Sequence, residues 1–180
     1  MVNVAIFTIA LAFVLMMCRT AHAGTDYGDE ICELITSYLD GDNWHYSFNE
    51  DDRTYNFNIS ISGKLQHLRY VVLVRGNGYT VYAISPINAD KEEPSTMLKM
   101  ADFVCRANYG VRNGNFELDM NDGELRYKVF VDCDECLPSQ GVIRNSIMIP
   151  SVMFERYSPG ILDVIFKDAD VEEAIAKCER

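Results

Sequence analysis

Apolar residues first recur at helical spacing in Ile31, Leu34, Ile35, Tyr38 and Leu39, with Asp26, Asp29 and Glu30 ahead of them and Gly41 behind. Acidic side chains suit a helix N-terminus and glycine stops a helix, so the pattern predicts one amphipathic helix over roughly 27–40. The period then changes to two. Trp44, Tyr46 and Phe48 alternate with His45, Ser47 and Asn49, and Tyr55, Phe57, Ile59 and Ile61 alternate with Asn56, Asn58, Ser60 and Ser62. Successive strand side chains point to opposite faces, so these are half-buried strands, joined into a hairpin by Glu50-Asp51-Asp52. Leu68 to Val74 is apolar at both parities, which predicts an interior strand buried on both faces. Gly76-Asn77-Gly78 supplies a tight turn, and Tyr79 to Ile84 returns from it.

A second helix follows. Asp90 and Glu93 stand at capping-box spacing, Pro94 fits a first turn, and Met97, Met100, Ala101, Val104 and Cys105 line one side up to Gly110. Beyond it, a two-residue Asp122-Gly123 turn would pair Met120 with Leu125, Leu118 with Tyr127, and Phe116 with Val129. The same register sets Asp119 opposite Arg126 and Glu117 opposite Lys128. The last third is helical: a segment with Val142, Ile143 and Ile147, another begun or kinked by Pro150 and interrupted near Pro159-Gly160, and a short helix from Asp170 with Val171, Ala174, Ile175 and Cys178 inside. The expected fold class is α+β, a five-stranded antiparallel sheet with flanking helices in the order αβββαββα plus a short C-terminal helix.

Composition supports one packed domain: 48% of the 180 residues are apolar and 11% aromatic. The net charge of −11 gives a field that repels phosphate backbones, so nucleic acid is not expected as a partner.

The N-terminus differs from the rest. Val4 to Cys18 is apolar except for Thr8, and Arg19-Thr20-Ala21-His22-Ala23 follows before Gly24. Ala21 and Ala23 occupy the −3 and −1 positions of a cut before Gly24, and the apolar run is shorter than the roughly 20 residues that span a bilayer. Residues 1–23 are therefore a signal-peptide candidate and 24–180 the folded domain, with no stable membrane span left after cleavage. Export to the periplasm or the outside is expected if cleavage follows Ala23, and a cytoplasmic location otherwise. Cysteine usage favours the latter, since an odd set of five would remain: Cys32, Cys105, Cys133, Cys136 and Cys178. Cys32, Cys105 and Cys178 fall near apolar helix positions and read as small buried hydrophobes.

Cys133-Asp134-Glu135-Cys136 is the one short motif with chemical meaning. A dithiol redox pair is the alternative function it suggests, although neighbouring carboxylates raise thiol pKa values where redox sites depress them. Zinc would need two further ligands, and His45 and His67 are expected to face solvent. No nucleophile elbow or phosphate loop is present, and Asn58-Ile59-Ser60 is a lone glycosylation sequon. No catalytic, cofactor or metal residue is assigned, and the chain is expected not to be an enzyme.

Phe103-Val104-Cys105-Arg106-Ala107-Asn108-Tyr109-Gly110, then Gly114-Asn115-Phe116-Glu117-Leu118-Asp119 and Asp122-Gly123-Glu124-Leu125-Arg126-Tyr127, resemble the YbjN family. Tyr82-Ala83-Ile84-Ser85-Pro86 and Tyr157-Ser158-Pro159-Gly160-Ile161-Leu162 extend the resemblance over roughly 27–178. It implies a fold similar to type III secretion chaperones and a non-enzymatic, chaperone-like or regulatory role in binding a protein or peptide, by analogy as a homodimer with a groove. The family brings no catalytic residues to carry over. A cleaved leader would take the chain out of the compartment where secretion chaperones act, which leaves an exported interaction or structural domain as a further alternative.

Overall fold

The computed structural model describes residues 26–180, so the leader candidate lies outside the described residues. The elements in chain order are α1 (Gly28–Gly41), β1 (Tyr46–Asn49), β2 (Thr54–Ser60), β3 (His67–Arg75), β4 (Gly78–Ile84), α2 (Pro94–Asn108), β5 (Asn115–Leu118), β6 (Leu125–Asp132), α3 (Gln140–Lys167) and α4 (Val171–Cys178). The class is α+β on one antiparallel sheet, in the order β1-β2-β3-β4-β6-β5. It has six strands among the described residues where five were expected, because all four alternations between Tyr46 and Ile84 form separate strands. The four-residue edge strand β1 is held by its aromatic residues: Phe48 stacks on Tyr55 at 4.3 Å, and Tyr46 tilts against the same ring at 5.8 Å. Such pairs add to the area term and make a four-residue edge strand worthwhile.

One face of the sheet carries the core. Tyr55, Phe57, Leu68, Tyr70, Val72, Val74, Tyr79, Val81, Ala83, Phe116, Leu125, Tyr127 and Val129 are buried there against the helices. The buried tyrosines find partners. The Tyr55 hydroxyl donates to the Cys32 carbonyl at 2.9 Å and accepts from Thr36 Oγ1 at 2.9 Å, tying β2 to α1. Ser146 Oγ donates to the Ile143 carbonyl, so the Tyr79 hydroxyl donates to Ser146, tying β4 to α3.

The β5–β6 register differs from the expected one. Leu118 pairs with Leu125, Glu117 with Arg126, and Phe116 with Tyr127. The turn is longer than Asp122-Gly123 because two aspartates organise it: Asp119 accepts from Asn121 N at 2.8 Å, and Asp122 accepts from Glu124 N at 2.9 Å. Asp119 N donates to the Glu124 carbonyl, and Gly123, at φ +77°, accepts a bond from Ala89 N at 3.0 Å. The resulting slide has even parity, so every side chain keeps its face while every partner changes.

Helix α2 begins at Pro94, and the Asp90–Glu93 capping box does not form; Asp90 accepts from Glu92 N instead. Its inner stripe is Met97, Met100, Phe103 and Ala107. Cys105 lies about 200° around the helix from Phe103 and is exposed, against expectation, while Cys32 and Cys178 are buried as expected. The last third is one 28-residue helix, α3, running through both Pro150 and Pro159. A proline removes one N–H, and Ser158 Oγ donates to the Glu155 carbonyl that Pro159 leaves without its usual donor. The expected breaks are absent because the apolar stripe, from Ile143 and Ile147 through Phe154 and Tyr157 to Ile161 and Val164, continues through both positions.

Candidate functional site: the open face of the sheet

The helices cover one face of the sheet, and the strand alternation sets a different set of side chains on the other. Register builds its centre. Val71 lies opposite Tyr82, and Leu73 opposite Thr80, which in turn faces Phe130. Val71, Leu73, Thr80 and Tyr82 are half-buried, and Phe130 is 60% exposed. Phe130 leans over Gly78, where its ring atoms stand 3.0–3.1 Å from the place a Cβ would occupy. Asn56 and Asn58 form the polar margin on the β2 side.

The margin on the β5–β6 side is charged. Glu117 accepts from Arg126 Nε at 2.8 Å and from Lys128 Nζ at 3.1 Å. Burial opposes ionisation of Glu117, but Arg126 and Lys128 outweigh it and hold its carboxyl below the usual range. Arg126 also lies 4.5 Å above the Tyr82 ring, so the charged margin is locked onto the apolar centre by a cation–π contact. Arg69 approaches Glu124 at 3.7 Å. In a chain with 27 acidic and 16 basic residues, this face is unusual in that Arg69, Arg75, Arg126 and Lys128 outnumber Glu117 and Asp132 on its strands. Aromatic and aliphatic area beside pre-positioned arginines is the composition of a protein-binding surface.

Strand β3 was expected to be buried on both faces. Its second face, Arg69, Val71, Leu73 and Arg75, is half-buried or exposed, because no helix covers it. The apolar residues at that parity mark the open face instead of a second core layer. Phe130 was not singled out in the sequence; it follows Val129 and so faces the other way, and the register shows that it completes the Val71–Leu73–Tyr82 patch.

Cys133 and Cys136 lie just beyond β6, and both are free thiols. Cys133 is 1% exposed with its sulfur toward the Val131 carbonyl, whereas Cys136 is exposed. Burial pushes the Cys133 thiol up, helped by Asp132 and Cys136. The acidic neighbour that acts is thus Asp132, not the Asp134 and Glu135 between the sulfurs. Asn77 fixes this loop: its carbonyl accepts from Cys133 N at 2.7 Å, and its side chain bonds Tyr27 N and Asp134. His45 and His67 are exposed. No group of three His, Cys, Asp or Glu side chains is placed to hold a metal ion among the described residues, and no described helix is long and apolar enough to cross a membrane.

No curated protein matches the sequence. The solved structure of YbjN from E. coli, described as "a putative transcription regulator", shares the fold with a TM-score of 0.51 at 15% identity, covering 70% of this chain and 90% of that one. The family model for YbjN, "Putative bacterial sensory transduction regulator", matches residues 32–162. The chain belongs to the YbjN family.

Proposed function

We propose that this protein is a non-enzymatic regulatory module that works by binding another polypeptide on the open face of its sheet. The observation that carries the reading is the patch of Val71, Leu73, Tyr82 and Phe130, apolar at its centre and bounded by the Arg126–Glu117–Lys128 cluster. A large exposed ring in a half-buried aliphatic setting is what an interface anchor looks like before its partner arrives. The regulatory descriptions attached to the family and to the E. coli structure agree with a module that acts through a partner. The chaperone-like mode belongs to the same proposal: a partner segment lies across the sheet, and a second copy of this chain is one occupant to distinguish.

A photo-crosslinking side chain at Phe130 tests this directly. One discrete adduct is expected, lost when Val71 and Leu73 become glutamate, while the same probe at exposed Leu98 on α2 gives none. Native mass spectrometry of the adduct separates a second copy from a different chain. A probe at Phe130 that captures nothing, or no more than the one at Leu98, removes the support.

The compartment is a separate proposal. Cleavage after Ala23 and export rest on the sequence of the leader, and N-terminal sequencing of the mature chain is the deciding measurement: a first residue of Gly24 supports export, and Met1 or Val2 refutes it.

A further inference from the structure

On the helical side of the molecule a cleft of about 400 Å³ opens between the loop after α2 and the middle of α3. Its walls are apolar and aromatic: Val111, Ile149 and Met153 are half-buried, and Tyr109 at the rim is 91% exposed. Arg112 and Arg156 line it, and neither forms an ion pair among the described residues. That is notable in a chain whose acidic residues outnumber its basic ones so heavily. Glu179, the carboxylate in the cleft, accepts from the Tyr157 hydroxyl at 2.9 Å.

The cleft is held in shape before anything binds. Arg156 Nε donates to the Cys178 carbonyl at 3.1 Å, and its guanidinium lies 5.3 Å from the Tyr157 ring centroid. That fixes the plane of the fork and leaves its two terminal nitrogens without a hydrogen-bond partner among the described residues. The loop is equally constrained. The Asn108 side chain both accepts from Phe116 N at 2.8 Å and donates to the Phe116 carbonyl at 2.9 Å, and the Tyr127 hydroxyl donates to the Asn113 carbonyl at 2.6 Å. A Cβ on Gly114 would lie 2.5 Å from the Lys128 carbonyl, so the loop lies directly against β6. Tyr109 to Asn113 thus form the rim of this cleft, and the Asn108–Phe116 bonds and Gly114 anchor that loop at its two ends.

We infer that the cleft binds a small carboxylic acid with an apolar or aromatic body, its carboxylate gripped by Arg156 with Arg112 beside it and its body against Val111, Ile149 and Met153. A guanidinium fork with its free edge exposed matches the two oxygens of a carboxylate. The volume is in the range of small-molecule sites, which combine apolar walls with a few placed polar groups. Bulk polyanions are disfavoured by the net charge of −11.

The test is calorimetric titration of the full chain with 3-phenylpropionate and decanoate, with 3-phenylpropylamine and acetate as controls. Both acids are expected to bind saturably at one site, and neither control to do so. Arg156→Gln should weaken binding by about tenfold, with Arg156→Lys in between because it keeps the charge and loses the fork. Arg112→Gln should weaken it less, and Phe130→Ser on the sheet face should leave it unchanged; thermal melting checks that each variant folds. If Arg156→Gln fails to fold, Arg112→Gln and Met153→Glu carry the test. Absence of saturable binding by either acid, equal binding of the amine, or affinity unchanged in the folded cleft variants overturns the inference.

Discussion

Gly160 of α3 lies so close to Cys178 of α4 that a Cβ at position 160 would stand 2.8 Å from the Cys178 sulfur. The same Cβ would meet Phe103 Cε2 of α2 at 2.8 Å and the Ala174 carbonyl at 2.9 Å, so three helices converge on one missing side chain. The sulfur and the ring can shift a little, but the backbone carbonyl cannot without moving α4. Gly160→Ala is therefore expected to destabilise the protein by about 1–3 kcal/mol, as overpacking does, although alanine favours a helix by about 1 kcal/mol. Adding Cys178→Ala should recover only part of the loss. Urea midpoints of the single and double variants decide it, and a Gly160→Ala protein as stable as the parent would show the crossing is looser than described.

Two core tyrosines of β2 and β3 should respond oppositely to loss of their hydroxyls. Tyr70 is fully buried, stacks on Phe57 at 5.2 Å, and its hydroxyl oxygen has no hydrogen-bond partner among the described residues. Ser151, its polar neighbour, donates its proton to the Met148 carbonyl at 2.7 Å and stands outside hydrogen-bond geometry from the Tyr70 hydroxyl. An unsatisfied buried hydroxyl is costly, so Tyr70→Phe should be neutral or stabilising, by up to about 1 kcal/mol. Tyr55→Phe removes the bonds to Thr36 Oγ1 and the Cys32 carbonyl and should cost about 1–2 kcal/mol. Chemical denaturation of the pair gives the sign; a loss from Tyr70→Phe as large as that from Tyr55→Phe would mean its hydroxyl has a partner after all.

The contrast between these positions shows what the sequence could reveal. Period-two alternation placed Tyr55 on the core face, because facing depends only on parity, but β3 is apolar at both parities and did not separate Tyr70 from Val71. Which of them finds a partner depends on α1 and α3 crossing at particular heights, and no local pattern carries that. The β5–β6 register illustrates the same limit. Apolar pairing and charge pairing agreed on Asp122-Gly123 as the turn, yet the competing Asx turns of Asp119 and Asp122 lengthened it and moved every pair. Val71 and Leu73 were visible as apolar but not as lying on an uncovered face, since the number of layers on a sheet is a tertiary property. Helix α3 was misread at Pro150 and Pro159 because packing of its inner stripe overrides a local breaking tendency.

Asp163 is held between two lysines, Lys167 Nζ at 2.6 Å on its own helix and Lys177 Nζ at 2.5 Å on α4. The hydrogen bonds from Lys167 and Lys177 lower its carboxyl to a pKa of about 2. The folded-state value lies below the unfolded one of about 3.9, so the contribution to stability is present above about pH 4 and is lost as pH falls toward 2. Both lysines are more than half exposed, and solvent screening limits the effect to about 1 kcal/mol or less. The urea midpoints of the parent and Asp163→Asn should differ near neutral pH and converge on acidification, with a smaller gap in high salt. Lys177→Met should move the Asp163 carboxyl back up, read by carbon NMR. A gap that persists unchanged down to about pH 2 would rule out this linkage.

The five described cysteines divide by burial in a way that bears on the dithiol alternative. Cys32, Cys133 and Cys178 are buried, and burial is the largest cause raising each of their thiols above the usual value. Cys105 and Cys136 are exposed. A thiolate is the reactive form, so a maleimide at neutral pH should label Cys105 and Cys136 quickly and the other three only on unfolding. Cys133 is 1% exposed, which shields its sulfur from an oxidant in solvent, and its backbone N is bonded to the Asn77 carbonyl. Under oxidised glutathione the folded protein should therefore form mixed disulfides at Cys105 and Cys136 and keep Cys133 reduced. Peptide mass mapping distinguishes the outcomes: an intrachain Cys133–Cys136 link formed at the rate of surface labelling would mean that burial does not protect Cys133, and the redox reading of that motif would regain its standing.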